Sequence, residues 1–569
     1  MILRRLYLYL VSAAGLGLLA AGLALLGSTV LLFVFNDSYA QDSRTQLAIY
    51  TAMTVVALPV WGAHFFFARR FAMRDPAERA SAIRRMYFYF ACLAASIGAL
   101  VSLAITAADL LRPLIDTCAT VVKQPQLQEP DFAIPCRSNP DWLATSQAGW
   151  IAVVFVVIWA FHFRIAAQDR AAVGEAGASA TLRRWYMYVV LLAGLLAMLS
   201  GASALIELAW LKAWHSSLGD YRYMGDPAGL FLAGLVVWGF HARTIAQHHV
   251  SDDRHSTLRA LTGFIAVGVS ILTALIAGSQ ILYFGLARAL GVAHPVGVAG
   301  DDIVAALAVP GSQVLVYGIA WFFVRRRLAQ DARAQEADRQ AGIRRLYTNL
   351  AALVSLGAWA TGAGGLLWTL AEQLEAPIIG VKAGDWKDPV SLWVTLLVVG
   401  AAVWIAHWRP SPWAADRQSL SRRLYVWAAL LASVLVILGA GVGMLNALLQ
   451  QVFSAHPKLN DPGNLDFGHY LAVIIVAAVV GLYHWRVLRA DAAARPPKVA
   501  VEQAPAVVAV AAPVSVPVQA TEVADPNSRR YVLSVTDATE DDVHQALASL
   551  PPQASYKLTP AEHVGADGS

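Results

Sequence analysis

Charge is what this chain has least of. Only 14% of its 569 residues are Asp, Glu, Lys or Arg, against roughly a quarter in soluble domains. With 57% hydrophobic residues, that deficit excludes an ordinary water-soluble enzyme. Cysteine is scarce too: Cys92, Cys118 and Cys136 are the whole complement. Three cannot staple a small secreted scaffold, and without a Cys-x-x-Cys pair they cannot build a thiolate metal cluster. Catalytic signatures are missing as well. The chain has no Gly-x-x-x-x-Gly-Lys-Ser/Thr phosphate loop, no His-Glu-x-x-His and no Gly-x-Ser-x-Gly elbow.

Long apolar runs are there in abundance. They reach about 20 residues or more, the length that crosses a bilayer, and they predict a multi-pass membrane protein. The first, Leu6 to Val34, has the look of a secretory signal, with Arg4 and Arg5 ahead of it. Yet Arg4-Arg5-Leu6-Tyr7 returns inside the chain as Arg84-Arg85-Met86-Tyr87 and Arg183-Arg184-Trp185-Tyr186. A cleaved peptide has no reason to match internal helices, so the run is expected to be a retained span.

The returning phrase is one half of a repeat. Arg-Arg-x-Tyr opens at 4–7, 84–87, 183–186, 344–347 and 422–425. Trp-x-x-His-x-Arg closes at Trp159/His162/Arg164, Trp238/His241/Arg243 and Trp404/His407/Arg409. Worn copies of the closing phrase keep Trp61 and His64 before Phe66, Trp321 and Arg326 around Val324, and His484 and Arg486 after Gly481. In the fourth opening, Leu258 to Thr262 aligns with Leu182 to Tyr186, so Thr262 stands in the tyrosine place.

The expected fold is all-α: twelve transmembrane helices as six tandem, like-oriented hairpins, followed by a disordered linker and a small β-α-β tail. The spans pair as about 6–34 with 47–68, 86–110 with 145–166, 185–211 with 228–246, 260–287 with 303–324, 346–374 with 390–408, and 424–450 with 469–488. The hairpins divide at 1–83, 84–182, 183–257, 258–342 (the degenerate one), 343–420 and 421–492. Residues 493–527 read as an extended Ala/Val/Pro linker. Residues 528–569 read as the tail: a strand near Arg529–Val535, a helix capped by Thr539 and Asp542, and a strand near Tyr556–Leu558. That tail is too short to hold a core alone, and it is expected to dock onto a protein partner.

Most of the 43 Lys and Arg fall on the side that carries the hairpin starts and ends. By the positive-inside rule that side is cytoplasmic, with both termini on it. Net charge of +5 follows from that bias, so no nucleic-acid partner is implied; the partner implied is the lipid bilayer. The loop of about 112–146 lies on the other, oxidising side and holds Cys118 and Cys136, which are expected to form a disulfide. Cys92 is expected to be buried in a helix.

The repeated Trp, Tyr and Arg suit a headgroup-level anchor. Histidine is the member that such an anchor does not need. His64, His162, His241, His407 and His484 lie at one depth, and imidazole is a common haem and metal ligand. Cofactor binding at these five is therefore a second reading beside the structural one. Asp109, Glu207 and Glu372 recur near the outer ends of their helices, as boundary carboxylates touching water or as a shared cation site. His248, His249, Asp252, Asp253 and His255 cluster on one link and read as a solvated loop or a surface metal site. Glycine-rich stretches such as 15–22, 357–365 and 439–443 predict close helix packing.

The Arg-Arg-Leu-Tyr-x-Tyr helix followed by a Trp-x-x-His-x-Arg helix resembles the bacterial multi-pass membrane proteins grouped as domain of unknown function 5671. The resemblance runs from residue 1 to about 490. It implies a bacterial plasma-membrane location and a repeat architecture, and it supplies no activity, cofactor or site residue. Three functions stay open: a non-enzymatic scaffold or assembly component, a transporter or channel, and a haem- or metal-binding redox protein. The scarcity of charge inside the spans favours the first. Repeats of a single orientation, unlike the inverted halves of many carriers, weigh against the second.

Overall fold

The computed structural model describes residues 2–40, 43–115, 141–214, 224–247, 256–292, 302–332, 338–378, 382–408, 419–453 and 466–493, with single positions at 295, 380 and 417. The loop with Cys118 and Cys136, the His248–His255 cluster and everything after 493 lie outside the described residues.

Among the described residues all regular structure is helical. The long helices are α1 (Ile2–Val34), α2 (Arg44–Arg74), α4 (Ala82–Ile115), α5 (Trp142–Val173), α6 (Gly177–Ala213), α7 (Gly225–Gln247), α8 (Thr257–Ala289), α10 (Ala308–Ala332), α11 (Asp338–Ile378), α12 (Lys387–His407), α13 (Leu420–Phe453) and α14 (Asp466–Ala493). Two single turns, α3 (Pro76–Arg79) and α9 (Ile303–Ala306), and a 3-10 turn at Ser38–Ala40 complete the set. Twelve helical segments are long and apolar enough to cross a membrane. At 1.5 Å per residue, the 21-residue α12 rises about 31 Å and the 41-residue α11 about 61 Å. A hydrocarbon layer of about 30 Å is thus spanned by the shortest and overshot by the longest.

Short polar side chains start several of these helices. Asp75 accepts from the Ala77 amide (2.8 Å) and Asp141 from the Ala144 amide (3.1 Å), each satisfying a backbone donor that the first turn leaves open. Gly174, at φ +72°, ends α5 in the left-handed region that costs glycine little.

Each long helix packs most extensively on its sequence neighbour: α1 on α2, α4 on α5, α6 on α7, α8 on α10, α11 on α12 and α13 on α14. Small residues set the closeness. A Cβ on Gly15 would stand 3.2 Å from Trp61, and one on Gly22 would stand 2.8 Å from Thr54 Oγ1, so α1 and α2 run in opposite directions. The glycines at Gly17, Gly357, Gly364, Gly439 and Gly441 face no neighbour within 4 Å, so the packing reading applies to about half of the glycine-rich positions.

A second rule links the pairs. The first helix of each pair lies against the second helix of the next: α1 on α5, α4 on α7, α6 on α10, α8 on α12 and α11 on α14. Five junctions obey one pattern, as in a repeat protein in which each unit meets only its neighbours. The cores follow. The largest joins Tyr9, Phe65, Phe88, Cys92, Tyr186 and Val237 from α1 to α7. A second, around Ala352, Leu356, Trp408, Tyr425 and Val426, belongs to α11 to α14. Cys92 is fully buried, as expected from its place in α4.

Candidate functional site

Tyr87, on the second turn of α4, accepts a hydrogen bond from the indole N–H of Trp61 on α2 (3.0 Å). Its hydroxyl also meets Nε2 of His162 on α5 (3.1 Å). The same three-part bridge recurs twice. Tyr186 accepts from Trp159 Nε1 (2.8 Å) and meets His241 Nε2 (2.9 Å). Tyr425 accepts from Trp404 Nε1 (2.9 Å) and meets His484 Nε2 (2.9 Å). In each bridge Tyr and His belong to one helix pair, and Trp comes from the pair before it. Three positions of two repeat phrases thus close one contact between neighbouring repeats.

The histidine tautomer follows from its other nitrogen. Nδ1 lies 2.7 to 2.9 Å from the carbonyl four residues back at His64, His162, His241, His407 and His484. A carbonyl only accepts, so Nδ1 carries the proton. In the neutral ring Nε2 then accepts from tyrosine, and the order of donation is Trp to Tyr to His to backbone. Within each complete bridge the indole, the hydroxyl and both ring nitrogens have a partner, as burial requires. His162 and His484 are fully buried and His241 nearly so.

The five histidines do not come together; each stays with its own tyrosine. A haem iron or a metal needs a free ring nitrogen. At His64, His162, His241 and His484 the remaining one is bonded to a tyrosine hydroxyl. Among the described residues no three His, Cys, Asp or Glu side chains are grouped as a metal site would need. The first and fifth pairs hold reduced versions. Tyr7 meets His64 Nε2 at 3.3 Å at an exposed edge, and Tyr347 meets His407 through ring contact, with centroids 5.9 Å apart.

Buried ion pairs stand one helical turn nearer the helix ends. Arg84 is 1% exposed; its Nε donates to Asp169 (2.7 Å) and its Nη1 to the Tyr9 hydroxyl (2.9 Å), while its guanidinium covers the Phe88 ring. Arg422 donates to Asp491 (2.7 and 3.3 Å) and covers Trp408. Asp169 and Asp491 each follow their pair's histidine by seven residues. Arg85 is fully buried and reaches the Ala166 carbonyl (3.1 Å). The expectation that these arginines snorkel toward lipid phosphates does not hold at Arg84 and Arg85, because a carboxylate or carbonyl inside the bundle receives them instead. Arg4 and Arg5 share Glu78 (2.5 and 2.8 Å), which sits on α3.

The outer carboxylates differ from one another. Asp109 is buried and paired with Arg112, which also bridges to Asp226 (2.5 Å). Expected at a water boundary, it is enclosed because α7 packs over that end of α4, where a Cβ on Gly225 would touch Arg112. Glu372 accepts from the Gly384 amide (3.3 Å). Glu207 is half-buried on α6.

The model of a family described as Domain of unknown function (DUF5671) matches residues 5–135, 130–217, 221–312 and 345–468. No curated protein and no solved structure matches the chain.

Proposed function

The chain belongs to the DUF5671 family of unknown function, and from that premise we propose that it is a multi-pass plasma-membrane scaffold of six like-oriented hairpins. In this reading the arginine-rich ends and both termini are cytoplasmic, and the segment after Ala493 recruits a protein partner. One observation carries the scaffold role. At three of the junctions the repeated polar groups are bonded to one another, Trp to Tyr to His to backbone, and so serve to fasten one helix pair to the next. Support for a lipid setting comes from the helix faces: Val55, Leu431, Leu438 and Val442 are each more than half exposed, as suits helices that face lipid.

The test is to purify the tagged full chain from membranes, cross-link it and identify what is retained. A scaffold retains a discrete partner set, and a chain truncated after Ala493 loses it. Retention of nothing specific, together with solute flux in reconstituted vesicles above that of empty ones, would replace the scaffold with a transporter.

A further inference from the structure

The contact that joins successive helix pairs has a fixed address on each helix. On the first helices it stands 21 residues after the tyrosine place of the repeat. There the Ser28 carbonyl of α1 accepts from Gln147 of α5 (2.9 Å), and Ala108 of α4 lies against Gly229 of α7. Tyr283 of α8 donates to Asp388 of α12 (2.5 Å), and Trp368 of α11 stacks on His469 of α14, with ring centroids 3.9 Å apart. Between α6 and α10 the bond comes one turn earlier, from Ser203 to Ser312 (3.2 Å).

The second helices answer with small residues. At 16 and 12 positions before the histidine place stand Gly225 and Gly229 on α7, Ala308 and Ser312 on α10, and Gly468 and Ala472 on α14, all buried. Ser391 and Thr395 hold the same places on α12 and are buried too. Only α5 departs, with Ser146 and with Trp150, whose indole reaches the Leu23 carbonyl of α1 (2.8 Å). Small side chains let membrane helices approach closely. A Cβ on Gly229 would stand 2.2 Å from the Ala104 carbonyl oxygen, and one on Gly468 would stand 2.8 Å from the Ala371 Cβ.

Each address occurs once more, and there it is uncovered. On α13 the first-helix address is Asn446, which is exposed, with Val442 one turn before it at 69% exposure. In the other five first helices the place of Val442 is buried or half-buried. On α2 the second-helix address is Ala48 and Ala52, both exposed. An amide on a helix in lipid gains by bonding across to another helix, which gives Asn446 a use on that face. The tryptophan bridge is not required for such a contact. α6 packs on α10 although Thr262 fills the tyrosine place of the fourth pair, so Gly481 in the tryptophan place of α14 and the exposed Tyr7 are no obstacle.

We infer that α13 of one copy receives α2 of a second copy of this chain, through the same contact that joins its own helix pairs. Each copy uses a different surface, so the contact is heterologous and builds a closed ring or a linear row in the membrane plane. The inference rests on the membrane reading above and is independent of whether the tail recruits a partner.

The experiment uses the full chain in the membranes of the cells that express it. In a background of Cys92→Ala, Cys118→Ser and Cys136→Ser, one copy carries Ala52→Cys and a differently tagged copy carries Asn446→Cys. Gly229 against Ala108 is the equivalent contact within the chain, so mild oxidation is expected to join the two tags in one disulfide-linked dimer. The expected yield is at least tenfold above either variant alone, and above Ile105→Cys with Asn446→Cys, where Ile105 lies on an open face of α4. A mixed yield no higher than that control would overturn the inference. So would equal cross-linking of Ala52→Cys or Asn446→Cys to itself, which means a two-fold contact instead. A second measurement keeps the natural cysteines. Counting fluorescently tagged copies in dilute vesicles is expected to find the natural chain associated. Ala52→Phe is expected to lower the association constant at least tenfold with the unfolding midpoint unchanged. A natural chain that counts as single copies, or an Ala52→Phe chain that associates as before, would overturn it as well. A failure here leaves the scaffold reading intact, because that is read from retained partners and not from copies of the chain.

Discussion

A tyrosine hydroxyl is the pivot of each complete bridge, because it alone accepts and donates in the same contact. Removing it from Tyr186 leaves the Trp159 N–H and His241 Nε2 without partners inside the bundle. The expected cost of Tyr186→Phe is about 1–3 kcal/mol, the range for buried polar groups left unsatisfied, read as a lower unfolding midpoint in detergent. Tyr7→Phe is expected to change that midpoint far less, within about 0.5 kcal/mol, since Tyr7 is 59% exposed and has no tryptophan donor. Arg84 sets a different test. Arg84→Ala leaves the buried Asp169 carboxylate to the looser pair with Arg79 at 3.6 Å, and the expected cost lies toward the lower end of the about 3–5 kcal/mol for breaking a buried pair. Replacing both partners, as Arg84→Met with Asp169→Leu, is expected to recover most of the loss in the same measurement. Much of this scale was illegible in the sequence. The residue types were visible in the repeat, but a helix-face argument puts Trp61 and His64 together on α2 and cannot say that Trp61 serves the tyrosine of the next pair. Asp169 and Asp491 recur only twice, seven residues after their histidines, too thin a signal to separate from ordinary helix-end charges.

Helices meet where side chains allow their backbones close. On α7, Gly229 faces the Ala104 carbonyl and Ala108 of α4, and a Cβ there would fall on backbone that cannot move aside. Gly229→Leu is therefore expected to force α7 off α4 and destabilise by about 2–3 kcal/mol, the usual range for overpacking. Gly17→Leu, on an open face of α1 with nothing within 4 Å, is expected to be nearly silent. A thermal-stability series in one detergent checks both. At this scale the sequence was informative. Apolar runs and doubled arginines located every long helix, because a membrane-length helix must be uninterrupted, but they fell short at its polar ends: α6 starts at Gly177 rather than about 185, α11 at Asp338 rather than about 346, and α10 runs on to Ala332 rather than about 324. Glycine spacing alone did not tell packed faces from open ones, because that depends on which helix comes alongside.

Across the whole molecule the bridges follow part of the wear in the repeat, although Trp238 is kept where the next pair has Thr262 in the tyrosine place. Trp61, Trp159 and Trp404 each serve the next pair's tyrosine. The sixth pair has Gly481 in the tryptophan place. In the fourth pair Thr262 replaces the tyrosine and bonds its own Leu258 carbonyl instead (2.8 Å), and Val324 replaces the histidine. The complete bridges therefore fall in two groups, one within each large core.

Like orientation of six hairpins is the claim that joins these scales, and the sidedness of single cysteines measures it most directly. In a background carrying Cys92→Ala, Cys118→Ser and Cys136→Ser, cysteines are placed at Asp37, Trp214 and Gly380, and separately at Arg79, Gly174 and Gln330. The account predicts that an impermeant thiol reagent reaches the first three only from outside the cell and the second three only after the membrane is opened. Labelling of Asp37→Cys and Trp214→Cys from opposite sides would contradict it.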